Sequence, residues 1–92
     1  MIESFRHKGL RRFFESGDTR GINAEHADRI DVILGLLQDA DSIDDMNVPL
    51  LRLHALAGDL RGFWSVTVRA NWRIIFQFDD GKASNVDLVD YH

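Results

Sequence analysis

The sequence predicts an α+β domain in the chain order β-α-α-β-β-β, with two helices packed on one face of a small antiparallel sheet. Three observations point there. From residue 61 to residue 90 apolar and polar positions alternate with a period of two, broken only at Ala70-Asn71 and Asp80-Gly81, which suit hairpin turns. Residues 7–16 and 24–40 instead repeat their apolar positions at helical spacing. The 92 residues contain no linker-like stretch or internal repeat, so both patterns belong to one domain spanning 1–92.

Residues 2–5 are short enough for an edge strand. Over residues 7–16, Leu10, Phe13 and Phe14 share a stripe that leaves out Lys8, Arg11 and Arg12, and Gly17 is a fitting helix stop. Asn23 is the expected N-cap of a helix running to about residue 40, with Ala27, Ile30, Leu34 and Leu37 on one stripe widened by Ile33. Asp39, Asp41, Asp44 and Asp45 gather at its C-terminal end, where the helix dipole disfavours them by roughly a few tenths of a kcal/mol each. They read as a solvated turn or as an acidic patch for a basic partner.

Residues 49–57 approach a turn at Gly58-Asp59. Strands follow over 61–68, 72–79 and 83–90, with Asn71 taking positive φ in the first connection. Trp64, Val66, Val68, Trp72, Ile74, Phe76, Val86 and Leu88 then face the helices. Ser65, Thr67, Arg69, Arg73 and Gln77 face away.

That second face carries the candidate chemistry. Arg69 and Arg73 approach each other across a hairpin, which is unfavourable unless an anion sits between them; two splayed arginines, or a pair with Asp87, is the alternative. His54 reaches it from the preceding loop, and Asp90, Tyr91 and His92 end the chain. Metal-free RNA cleavage needs a base for the 2′-hydroxyl, an acid for the 5′-oxygen and cations for the phosphorane, and His, Asp, Tyr and Arg can supply them. A backbone-bonded loop histidine and a packed tyrosine are the structural alternatives, and two imidazoles with one carboxylate lack a metal-ligand spacing signature.

The absence of cysteine excludes disulfides and thiolate metal sites. No apolar run has membrane-spanning length, and the first residues resemble no signal peptide, so a cytoplasmic protein with no membrane partner is expected. The net charge of −4 is unlike a free-standing nucleic-acid binder, but arginines and acids are segregated along the chain.

RLHALAGD at 52–59, GFWSVTVRANWRIIFQF at 62–78, VDYH at 89–92 and SFRHKGLRRFFESG at 4–17 together resemble the HigB-type toxins of the RelE/ParE superfamily of bacterial toxin-antitoxin systems. The resemblance covers nearly the whole chain. It implies a RelE-like fold and a ribosome-dependent mRNA endonuclease that cuts in the A site without metal or other cofactor and so inhibits translation. It also implies a small helix-turn-helix, HigA-like antitoxin as partner, and operator DNA bound by the pair. Matched residue by residue, the catalytic group is His54, Asp90, Tyr91 and His92. His92 is then general acid or base, Asp90 orients it or acts as partner base, Tyr91 stacks on a base or bonds phosphate, and His54 assists proton transfer. Arg52, Arg61, Arg69 and Arg73 are the expected RNA contacts.

Strand parity puts Tyr91 on the outer face but Asp90 and His92 on the core side, so the tail is expected to twist. One position departs from the family: a lysine is common where this chain has Ala57, and Arg52 or Arg61 are the expected substitutes. A ParE-like gyrase inhibitor, which needs no acid-base cluster, and a toxin kept as an antitoxin- or operator-binding subunit are the alternative readings.

Overall fold

The computed structural model describes residues 1–91. Helix α1 (Lys8–Ser16) starts where His7 Nδ1 accepts the Leu10 N–H at 3.1 Å. It stops at Gly17, whose φ of 77° lets its N–H donate to the Phe13 carbonyl. Asn23 caps the next helical segment by accepting from the Glu25 N–H. The single helix expected from residue 24 is divided: Ala24–His26 is a tighter 3-10 turn, and α2 runs Ala27–Asp39. The tight turn accompanies the inward placement of His26, which is only 7% exposed and packs 6.1 Å from the Trp72 ring.

The sheet has four antiparallel strands in the order β1-β2-β3-β4: β1 (His54–Ala55), β2 (Trp64–Arg69), β3 (Trp72–Asp79) and β4 (Lys82–Asp90). The α+β class stands, but the source of one strand differs from expectation. Residues 2–5 make only isolated parallel bridges, Ile2 to Ala83 and Phe5 to Val86, because β4 carries an extra residue between Ile75–Asp87 and Gln77–Ser84 and Asn85 turns to φ 52° there. The short strand His54–Ala55, read from the sequence as an approach loop, pairs with β2 instead.

Two further expectations shift. In the β2–β3 connection it is Ala70, φ 51°, rather than Asn71 that adopts the left-handed conformation. A register shift between Thr67 and Arg69 brings this about and sets Arg69 opposite Trp72, with Arg73 opposite Thr67, so the two arginines are offset rather than facing. Strand β2 begins at Trp64 instead of residue 61, since Gly58–Leu60 forms a 3-10 turn and Gly62 takes φ 94°.

The core lies between the helices and one sheet face. Leu10, Ile30, Ile33, Leu34 and Leu37 meet Val66, Val68, Ile74, Phe76, Val86 and Leu88, with Trp64, Trp72 and Phe78 half-buried at its margin. Each such aliphatic or aromatic side chain contributes about 1.5–3 kcal/mol when fully removed from water. The opposite face is less open than its polar residues suggest. Phe63, Ser65 and Ile75 are buried there, and the Arg6 guanidinium lies 4.9 Å from the Phe63 ring centre.

Candidate nucleic-acid interface and catalytic end

Antiparallel pairing gathers sequence-distant residues at one end of the sheet. The start of β1, the end of β2, the start of β3 and the end of β4 all point to that end. A cleft of about 470 Å³ lies there, its lining including Arg29, Arg52, Arg69 and Arg73 but no carboxylate, and His54, Asp90 and Tyr91 are outside that lining. Repulsion between exposed guanidiniums in water is on the order of 1 kcal/mol or less per pair, small enough for the fold to bear and relieved by an anion. Arg73 is held in place: its guanidinium donates to the carbonyls of Ala70 and Trp72. Arg52 sits at φ 51°, just ahead of β1.

His54 is exposed on β1 opposite Ser65, and its Nδ1 lies 3.2 Å from the Arg52 carbonyl oxygen. A carbonyl only accepts, so this contact places the proton on Nδ1 and leaves Nε2 of the neutral ring with its lone pair. The pairing His54–Ser65–Ile75–Asp87 runs as one row across the outer face. Thr67, Arg73 and Val89 form the next row towards the cleft.

The tail follows the expected parity as far as it is described. Asp90 is the last residue of β4 and pairs with Trp72. Tyr91 is 52% exposed, and its N–H donates to the Asn71 carbonyl at 2.7 Å, which ties the tail to the β2–β3 connection. His92, and with it the expected twist that would join it to Tyr91, lies outside the described residues. Arg61 is exposed after the 58–60 turn, ahead of β2 and away from the cleft lining, but its N–H bonds Gly58 within the turn that Ala57 opens.

Sequence reasoning missed Arg29. Nothing local distinguishes it from any exposed arginine; only the packing of α2 beside the Thr67–Ala70 segment carries it into the cleft. Asp87, considered as an arginine partner, instead accepts the Leu88 N–H. Among the described residues no group of three or more His, Cys, Asp or Glu is placed to hold a metal ion. Among the described residues the one carboxylate held strongly low is not in the cleft lining: the hydrogen-bonded Arg20 guanidinium brings Asp18 from 3.8 down to about 2.

A two-helix layer on a four-stranded antiparallel sheet, with histidine, tyrosine and clustered arginines at one end, has the architecture of the small RelE-like toxins. Solved structures agree on the fold: YafQ from E. coli superposes with a TM-score of 0.63 at 15% identity, covering 98% of this chain and 91% of that one. The YoeB-YefM complex from Staphylococcus aureus contributes a chain with a TM-score of 0.59 at 16% identity, covering 100% and 95%. In sequence, the chain is 49% identical over 92 residues to "Endoribonuclease HigB" of Proteus vulgaris, covering both completely. It is 32% identical over 90 residues to "Toxin HigB-1" of Vibrio cholerae, covering 96% of this chain and 95% of that protein. The model for the RelE-like toxin HigB of type II toxin-antitoxin systems matches residues 3–92, and the chain belongs to that HigB-like family.

Proposed function

We propose that this toxin is an endoribonuclease that cleaves mRNA in the ribosomal A site and so arrests translation. The observation that carries the proposal is the cleft at one end of the sheet that four arginines line without a carboxylate, with exposed His54 on the strand that Arg52 leads into. That end matches the chemistry of phosphodiester transesterification. The arginines neutralise the scissile phosphate and the charge that builds on its equatorial oxygens, a preorganised electrostatic contribution on the order of 2–4 kcal/mol per well-placed donor. His54 Nε2 accepts the 2′-hydroxyl proton, directly or through an intervening group, because its Nδ1 is occupied by the Arg52 carbonyl.

His92, with Asp90, is assigned the complementary proton transfer to the departing 5′-oxygen, and Tyr91 stacks on a base or bonds the phosphate. Arg52, which lines the cleft, supplies the positive charge that the resemblance assigns to a lysine at the Ala57 position. No step requires a metal or cofactor. The RNA is expected to be presented by the ribosome, since the cleft holds one or two phosphates rather than a long single strand.

Membership of a type II toxin-antitoxin family makes an antitoxin the natural regulator. A helix-turn-helix antitoxin and operator binding by the pair are the proposed specifics. Among the described residues no helix is long and apolar enough to cross a membrane, and a site of action on ribosomes places the protein in the cytoplasm under this proposal.

The test is cleavage of a programmed message on purified ribosomes, read by primer extension. Cuts confined to the A-site codon, lost with His54→Ala and with His92→Ala, support the assignment. Absence of cuts alongside inhibition of gyrase-catalysed supercoiling would replace it with the gyrase-poison reading.

A further inference from the structure

On the helix side of the sheet a second cavity, of about 300 Å³, is walled by His7, His26, Trp72 and Leu88, with Arg20 and Asn23 at its margin. Its shape is set by a close backbone approach. A Cβ on Gly9 would clash with the Gly21 carbonyl, so α1 and the loop before α2 are clamped together and His7 is aimed beside that loop. His26 is 93% buried by its 7% exposure, yet its ring makes no hydrogen bond among the described residues. No fully enclosed side-chain nitrogen or oxygen is left unpaired among those residues, so the imidazole nitrogens of His26 open onto the cavities they line. A mostly buried ring whose nitrogens reach the cavity, tilted 58° against an indole 6.1 Å away, leaves a wall that a flat ligand can meet.

The cavity is also connected to the arginine cleft. A shallow hollow lined by Glu25, Asp28, Arg29, Arg69 and His26 shares Arg29 and Arg69 with the cleft and His26 with the cavity. The cleft, the hollow and the cavity are therefore neighbours around the β2–β3 connection, each sharing at least one lining residue with the next. Phosphates at one end and stacking surfaces with unpaired imidazole nitrogens at the other correspond to the two halves of a nucleotide.

We propose that the His7–His26–Trp72 cavity is a nucleobase subsite for an mRNA nucleotide flanking the phosphates held in the arginine cleft. This rests on the nuclease assignment for the identity of the RNA, but base binding itself does not need the ribosome or cleavage. Trp72 supplies the stacking face, and the His26 nitrogens read the base edge. The Glu25 and Asp28 carboxylates along the connecting hollow keep a phosphate from settling there and favour a base in the deeper position.

Binding is tested without ribosomes by following Trp72 fluorescence in a Trp64→Phe background while titrating AMP, GMP, CMP and UMP separately up to about 10 mM, the range of weak single-nucleotide affinity. Saturable quenching by at least one of them is expected. It should weaken roughly tenfold or more in His26→Leu, as loss of a base contact does, and less in His7→Asn, which retains the helix cap. His26→Gln, which keeps hydrogen-bonding atoms, should recover part of it and guards against a folding defect in the leucine variant. No saturable change with any nucleotide overturns the subsite, as does equal affinity in His26→Leu, or quenching by inorganic phosphate alone. Cleavage failing on ribosomes while quenching persists would remove the nuclease assignment and leave the base subsite intact.

Discussion

The two ends of β3 carry opposite electrostatics. At its start, Arg29, Arg52, Arg69 and Arg73 surround a cleft with no acid; past its end, Asp41, Asp79 and Asp80 border a hollow of about 510 Å³ floored by Trp64 and Phe78. Eight residues of strand separate them, roughly 25 Å at the usual rise per residue, about three Debye lengths in physiological salt. The ends therefore act on their surroundings independently. A net charge of −4 says little about RNA binding when four arginines line one cleft that no carboxylate enters.

The contrast can be broken by variants at either end. His54→Ala at the basic end should lower cleavage by about 10²–10⁴-fold, the range for loss of a positioned general base or acid, with the thermal midpoint unchanged because the side chain is exposed. Arg29→Gln should cost roughly 10-fold in cleavage and flatten its salt dependence, since one phosphate contact is lost; a rate equal to wild type would remove Arg29 from the cleft's function. Ala57→Lys, which adds a cation at the start of the 58–60 turn, should raise the rate by about three- to tenfold through added phosphate stabilisation. At the acidic end, the triple change Asp41→Asn, Asp79→Asn, Asp80→Asn should alter cleavage by less than about twofold, because screening isolates it from the cleft.

The smallest effect concerns pH. Asp18 is held low by Arg20, so its folded value lies beneath the unfolded one, and the contribution of the pair is present above about 3.8 and lost as pH falls towards about 2. Asp18→Asn should remove that acid-side dependence from the thermal midpoint together with the same small contribution near neutral pH, small because the Arg20 partner is exposed.

The sheet's inner face, both helix stripes, the Gly17 stop and the Asn23 cap were legible because each rests on local periodicity or a local hydrogen bond. The two-residue β1 was not, because two residues cannot display a period and its pairing with β2 is tertiary. The failure of residues 2–5 to form a regular strand depends on the β4 bulge, and the positive φ at Ala70 on the register shift in β2; neither leaves a mark in local composition. Of the site, the histidine, the tail and three cleft arginines could be nominated from residue chemistry and resemblance. Arg29 could not, because a helix residue joins a cleft formed by strands only through packing, and Arg61, equally basic, lies outside the cleft lining.

The most direct measurement of the central claim compares, on the same programmed ribosomes, the A-site cleavage rate of an Arg29→Gln, Arg73→Gln double variant with that of the acidic-end triple variant. A loss of about 100-fold in the first and less than about twofold in the second is the predicted result, since two phosphate contacts are removed in one case and none in the other. Equal rates in the two variants would contradict the assignment of catalysis to the basic end.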